Sequence, residues 1–425
     1  MQSLSDKLKS LGVQVGARDL TAPAKANLHA IEKVLNGRTL ENHQGKTFMV
    51  EEHYPWGTPH GAGAIKIDQP LDILGRWAGS DQIALLPPQS FAFIDTETTG
   101  LSGGSGTYAF LIGAGRFEAD EFHLAQFFMH DPAEEPAQLA ALEEFLAPCQ
   151  AIVSFNGKSF DIPLLNTRYS FQGWQSPFRE LAHIDLLHLA RRLWRNRLPS
   201  RTLGNLEVQI LDAARTEEDV PGWMIPELFF NYLRDGDARP LKNVFYHNAI
   251  DVVSLAALMN HMAALLSKPI ENSQGHSLDL LSLARLYEDL GDLDMATGLY
   301  LHGMDQPDAH EELFPTEILL DAIRRLALIY KRQGNFSAAI PLWEKATQFQ
   351  QLSAYLELAK FFEHRSLEYS SAFNWCEQAI LALENAESVY QGRTNLTPFL
   401  RRHWLGELRH RMDRLHRKML NTDGS

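Results

Sequence analysis

Cysteine is scarce in this chain: two in 425 residues, Cys149 and Cys376, far apart, with no CxxC pair and no histidine cluster at zinc spacing. That scarcity excludes a disulfide framework and a structural zinc site. Basic charge is short as well, with 39 Lys plus Arg against 53 Asp plus Glu and a net charge of −14. A chain this acidic does not grip a polyanion through a general basic coat, so any hold on phosphates must rest on a local patch or on bound cations. No stretch reads as the run of about 18 apolar residues that spans a membrane. The start, Met1 to Leu11, is amphipathic and charged and lacks the apolar core of a signal peptide. These absences lead to the expectation of a reducing, cytoplasmic protein with no membrane contact.

What is present is an ordinary globular composition, 45% hydrophobic and 22% charged, at a length that suits two or three domains. Residues 1–88 read as an N-terminal extension, with a weak helical start and a Gly, Pro and His rich stretch, His53 to Gly63, expected to be irregular. From Phe91 the pattern changes to three successive antiparallel strands, the first an apolar run from Phe91 to Ile94 that ends at Asp95, then Tyr108 to Phe117 and Glu121 to Met129. A helix is predicted at Glu135 to Leu146, a strand at Ala151 to Phe155, a helix from Asp161 to Tyr169 and a short element near Ile184. Helices follow around Thr202 to Leu211 and Asn243 to Leu266. Strands first, then alternating helix and strand, predict an α/β domain with a mixed sheet over 89–268.

Pro269 to Gly275 reads as a linker, and 276–420 as an all-α domain built on an internal repeat. Ala284, Tyr287, Gly291, Ala296 and Tyr300 have the same spacing as Ala327, Tyr330, Gly334, Ala339 and Trp343. A third copy, Ala359, Phe362, Ala372, Cys376 and Ala379, carries one inserted residue and has lost its glycine. Small residues where two helices cross, aromatics one turn on and Gly at the turn are what a stacked helical hairpin requires. The segments resemble tetratricopeptide repeats, which bind protein partners or pack on a neighbouring domain.

The chemistry is carried by acids. Asp95 and Glu97, in Asp95-Thr96-Glu97-Thr98-Thr99-Gly100, follow the apolar run Phe91 to Ile94. In an extended segment residues i and i+2 share a face, so two carboxylates stand side by side, an arrangement that is costly unless a cation lies between them. Asp161 opens a helix in the stretch Asn156 to Asp161, where a carboxylate would also serve as an N-cap. Asp251 interrupts an otherwise apolar helix, with His247 four residues before it on the same face.

The order of these motifs, a strand with D-x-E, then N-x-x-x-F-D at a helix start, then a late helix with a titratable residue four before an Asp, resembles the DEDD superfamily of ribonuclease H-like 3′ to 5′ exonucleases. The second motif is closest to the proofreading domains of family B DNA polymerases. The continuation Gly106 to Gly113, with the helical C-terminus, resembles the YprB-like group. The resemblance implies an α/β ribonuclease H-like domain with a mixed sheet, followed by tetratricopeptide-like repeats. It also implies two divalent ions, Mg²⁺ or Mn²⁺, held by Asp95, Glu97, Asp161 and Asp251, and nucleic acid, DNA or RNA, as substrate. Hard oxygen donors and a two-cation route to phosphodiester hydrolysis fit the same residues.

One departure concerns the general base. The superfamily places a His five before the last Asp or a Tyr four before it, whereas this chain has Tyr246 five before and His247 four before. His247 is favoured, because an imidazole suits proton abstraction near neutrality and its i, i+4 placement aims it with Asp251, with Tyr246 packing or touching substrate. Thr98 and Asn156 are read as substrate contacts. Arg191 to Arg201 holds five arginines and Trp194, and reads either as a solvated helix face or as a phosphate track, with Arg191 and Arg195 in contact with the strand and Trp194 as its stacking ring. Asp185 is an outer support for the site. The Gly100 to Gly106 stretch is a turn near the terminal nucleotide. A structure-selective endonuclease, or an interaction protein with a silent site, would share these features.

Overall fold

The computed structural model describes residues 29–100, 106–311, 314–384 and 397–422. The amphipathic start and most of the Gly100 to Gly106 turn lie outside the described residues. The chain divides into two compact units, one of residues up to 191 with 199–267, the other of 192–198 with 268 onward.

The first unit is a seven-stranded sheet in the order β1-β2-β7-β6-β5-β8-β9. β1 is Gly37–Asn42, β2 Gly45–Pro55, β5 Phe91–Thr98, β6 Ala109–Glu118, β7 Glu121–Phe128, β8 Ala151–Ser154 and β9 Ala182–Asp185; β3, Thr58–His60, and β4, Gly63–Ile65, form a separate hairpin. The pairs from β1 to β5 are antiparallel and β5-β8-β9 are parallel, so the sheet is mixed, as expected. The segment read as an extension is part of this sheet: β2 pairs with β7 from Phe48 to Pro55. His53 to Gly63 is not irregular. It holds the end of β2 and the β3–β4 turn, and its Pro and Gly residues serve a strand end and a hairpin rather than a loop.

Both faces of the central strands are covered, which is why Phe91 to Ile94 is apolar at every position. Ala92 and Ile94 join Leu139, Leu142 and Leu165 of helices α1 (Glu135–Leu146) and α2 (Asp161–Phe171). Helix α3 is Leu186–Trp194, α4 Leu203–Gln209 and α5 Ile225–Asp235. The opposite face is covered by α6, Leu241–Ser267, which runs over β5 and β6, and α5 packs beside α6's first turns. Helix α6 also corrects one expectation. Its most apolar window reaches a mean hydropathy of 1.7, long and apolar enough to cross a membrane, yet 78% of that window is buried inside the fold. Burial on a sheet demands the same composition as burial in lipid.

The second unit consists of paired helices. Helices α7 (Ser277–Asp289) and α8 (Leu293–Asp305) join at Gly291, and α9 (Thr316–Arg332) and α10 (Phe336–Thr347) at Gly334. Both glycines have positive φ, +82° and +74°, the left-handed conformation that ends one helix. The next residue caps the following helix: Asp292 accepts from Met295 N–H and Asn335 from Ala338 N–H. In the third pair, α11 (Leu352–Phe361) and α12 (Tyr369–Glu384), the inserted residue is absorbed by a π-helical turn, Phe362–Ser366, and Leu367 adopts the left-handed conformation in place of the missing glycine. The repeated small residues Ala284, Ala296, Ala327, Ala339, Ala359 and Ala372 are all fully buried. A last helix, α13 (Pro398–Thr422), packs Leu408 and Leu415 on α12.

Candidate active site

Asp95 and Glu97 lie on β5 after the point where the apolar run stops, and both face α6. Asp95 is in register with Gly113 of β6, and Gly113 with Gln126 of β7. Asn248, on α6 and fully buried, spans this row: its Nδ2 donates to Asp95 Oδ2 at 2.9 Å while its Oδ1 accepts from Gln126 Nε2 at 2.9 Å. The amide leaves one carboxylate oxygen of Asp95 outside that bond. A bulge between Glu97 and Thr98 ends the regular pairing.

Asp161 arrives from the other face. It is the first residue of α2, with Phe160 in the capping position and no side-chain cap from that residue. Thr96 donates to Asp161 Oδ1 at 2.5 Å. The turn before it is set by Asn156, in the left-handed region at φ +67°, and by Gly157, where a Cβ would meet Ser154 Oγ at 2.4 Å and Asp161 Oδ2 at 3.2 Å. Asp185, buried at the end of β9, accepts the N–H groups of Asn156 at 2.8 Å and Lys158 at 3.1 Å and so holds this turn. Asn156 therefore turns the chain here, and its N–H is committed to Asp185.

Asp251, on α6, completes the group. Burial pushes the carboxyls of Asp95 and Glu97 well above the usual range, and each is raised further by Asp251 and Asp161. Burial likewise raises Asp161, to about 6 against the bonds from Thr96, and raises Asp251 against Arg215 and His247. Asp95 and Glu97 thus resist ionisation in the field of Asp161 and Asp251, which places the four in one electrostatic neighbourhood.

Arg215, which sequence reasoning passed over, sits beside Asp251. Its Nε and Nη2 hold Glu207 at 2.6 and 2.8 Å, and Nη2 also donates to Asp251 Oδ1. His247 Nδ1 lies 2.6 Å from Asp219 Oδ1 and 3.2 Å from Arg215 Nη1, and its Nε2 lies 3.7 Å from Asp251 Oδ2. Asp219 thus orients the ring and turns Nε2 toward Asp251. Tyr246 points elsewhere, its hydroxyl accepting the Thr216 N–H at 3.1 Å. As these side chains stand, no three His, Cys, Asp or Glu among the described residues are gathered closely enough to enclose a cation.

The remaining expected contacts are spread out. Thr98 Oγ1 bonds to Gly100 O at 3.0 Å within its own turn. Arg191 is exposed at the surface of the first unit, and Arg195 is exposed in the 192–198 segment of the second. Trp194 is fully buried, so it offers no face to a base, which corrects the stacking reading. Of its neighbours, Arg192 pairs with Asp289, and Arg197 with Asp279 at 3.0 Å. Neither is a free phosphate contact.

Residues 92–263 match the family model of the RNase_H superfamily. The chain is 31% identical to protein YprB of Bacillus subtilis (strain 168) over 357 residues, 79% of this chain and 82% of that protein. Among solved structures, the family B DNA polymerase of the hyperthermophilic archaeon Pyrobaculum calidifontis aligns with 57% of this chain at 16% identity and a TM-score of 0.32. The alignment spans a third of the polymerase, 33%, and a likeness of that size adds no argument.

Proposed function

This chain belongs to the RNase_H superfamily and shares a family with YprB, and from that premise we propose that it is a metal-dependent nuclease, a 3′ to 5′ exonuclease of DEDD type acting on DNA or RNA. The observation that carries the reading is the convergence of four hard oxygen donors: Asp95 and Glu97 lie side by side on β5, and Asp161 and Asp251 stand near enough to oppose the ionisation of both. Such a donor set suits Mg²⁺ or Mn²⁺ and not a soft metal. Asp95, Glu97, Asp161 and Asp251 would hold two such ions, which when bound supply Lewis-acid stabilisation of phosphate charge.

The chain's own residues do the rest. Asn248 fixes the Asp95 carboxylate through one oxygen. Thr96 fixes that of Asp161. His247, oriented by Asp219, takes the proton of the attacking water on Nε2. Thr98, Asn156, Arg191 and Arg195 are substrate contacts in this reading, Tyr246 packs, and the paired helices act as tetratricopeptide-like repeats for a protein partner. A cavity of about 220 Å³ between α9, α10 and α11, lined by Leu320, Ile323, Trp343 and Ala354, supports that last point.

The test is incubation with Mg²⁺ or Mn²⁺ of end-labelled single-stranded and duplex DNA and RNA, beside an Asp95→Ala variant. Laddering from the 3′ end that disappears in the variant is expected. Internal cuts would mean an endonuclease, and an absence of metal-dependent products on every substrate would overturn the reading.

A further inference from the structure

Arg215 is the only Arg or Lys side chain with an ion pair or hydrogen bond to the four acids among the described residues, and its geometry gives it a fixed seat. Glu207, on α4, is 1% exposed and takes both near-parallel bonds from the guanidinium. Releasing Arg215 would strand a buried carboxylate, a penalty of several kcal/mol in the general case, so the guanidinium stays on Glu207 whatever its other edge does. That other edge reaches Asp251 Oδ1 and stands 3.2 Å from His247 Nδ1. A divalent ion at Asp251 must therefore bind a carboxylate that already shares one oxygen with a cation, and that cation remains alongside and repels it. Simple rotation of Arg215 into solvent, which an arginine held at one end only by Asp251 could make, is not open to it.

We infer that Arg215 is a resident counter-cation with which a divalent ion must compete for Asp251, so that Arg215 sets how tightly the acids bind metal. The inference rests on the metal reading above and goes beyond it by making weak cation affinity a built-in property of the site. Arg215 is a positioning residue here, with no contact to substrate implied.

The measurement is free Mn²⁺ followed by electron paramagnetic resonance during titration of the whole protein, with no nucleic acid present. Arg215→Gln combined with Glu207→Gln removes the counter-cation without stranding a buried acid, and Mn²⁺ should bind roughly tenfold more tightly, a coupling of ordinary size. Arg215→Lys keeps a charge on Glu207 but cannot span both acids, and a smaller tightening is expected; it serves also if the double variant does not fold. Affinity at or below wild type in the folded variants, while Asp95→Asn abolishes wild-type binding, overturns the inference and leaves the metal reading standing. Wild-type protein with no Asp95-dependent Mn²⁺ binding overturns both.

Discussion

Gly113 and Asn248 meet where no side chain could stand between them: a Cβ on Gly113 would lie 2.3 Å from Asn248 Oδ1 and 2.9 Å from Val252 Cγ2. Because Asp95, Gly113 and Gln126 are in register across three strands, the bare glycine is the gap through which one amide joins Gln126 to Asp95. The backbone conformation of Gly113 does not call for glycine. The close approach does.

Gly113→Ala should therefore damage the site more than the fold. Overpacking of this kind costs about 1–3 kcal/mol, a loss visible in thermal unfolding. Metal-dependent hydrolysis should fall much further than that loss implies, as should that of Asn248→Ala, because Asp95 loses its orienting bond. A Gly113→Ala protein with wild-type turnover would show that the amide has no part in placing Asp95.

The acids also set a sign for pH dependence. A carboxyl whose folded pKa is raised, as that of Asp161 is to about 6, binds its proton more tightly in the fold than in the unfolded chain. Its effect is therefore to lower stability as pH rises from about 4 through about 6. Bound divalent cations reverse that effect where the acids are ionised. The rise in Tm on adding Mn²⁺ should be small near pH 5, grow toward pH 8, and shrink in Asp95→Asn. A shift independent of pH would place the bound ions elsewhere.

His247 and Tyr246 are separable by single substitutions. His247→Ala should lower kcat by about 10² to 10³ with a small change in KM, the usual loss for a proton acceptor. Tyr246→Phe removes only a hydroxyl that accepts a backbone N–H, and should stay within a few-fold of wild type. The reverse pattern would move the base to Tyr246.

Glu363 gives the second unit an acid sensitivity of its own. It is fully buried on the π-helical turn and receives Arg411, Arg414 and Lys418 of α13. Burial works against its ionisation, but the hydrogen bonds from Arg414 and Lys418 prevail and pull its pKa from 4.5 to about 2. A depressed carboxyl stabilises above its unfolded pKa, and that contribution is lost as pH falls from about 4.5 through about 2. The shift corresponds to a loss of the order of 3 kcal/mol before solvent around the partly exposed Arg414 and Lys418 reduces it. Glu363→Gln should unfold earlier in urea at pH 7 and show a flatter dependence between pH 5 and 2. Unchanged unfolding at pH 7 would mean that the three cations hold nothing.

Local periodicity determined a good deal of this molecule. Alternation along β5 puts Asp95 and Glu97 on one face because side chains in a strand repeat every two residues, and the helical period puts His247 and Asp251 together on α6. Composition carried the repeat as well: glycine followed by a capping residue at Gly291-Asp292 and Gly334-Asn335 marks each helical turn without reference to anything distant. What lay beyond the sequence was every relationship set by long-range packing. The pairing of β2 with β7, the seat of Asn248 on Asp95 at a separation of 153 residues, and the hold of Arg215 on Asp251 at a separation of 36 depend on where whole elements come to rest. The burial of Trp194 belongs to the same group. An arginine in a polar loop or a glycine inside a strand carries no local mark of its partner, since that partner exists only once the sheet and α6 have closed over them.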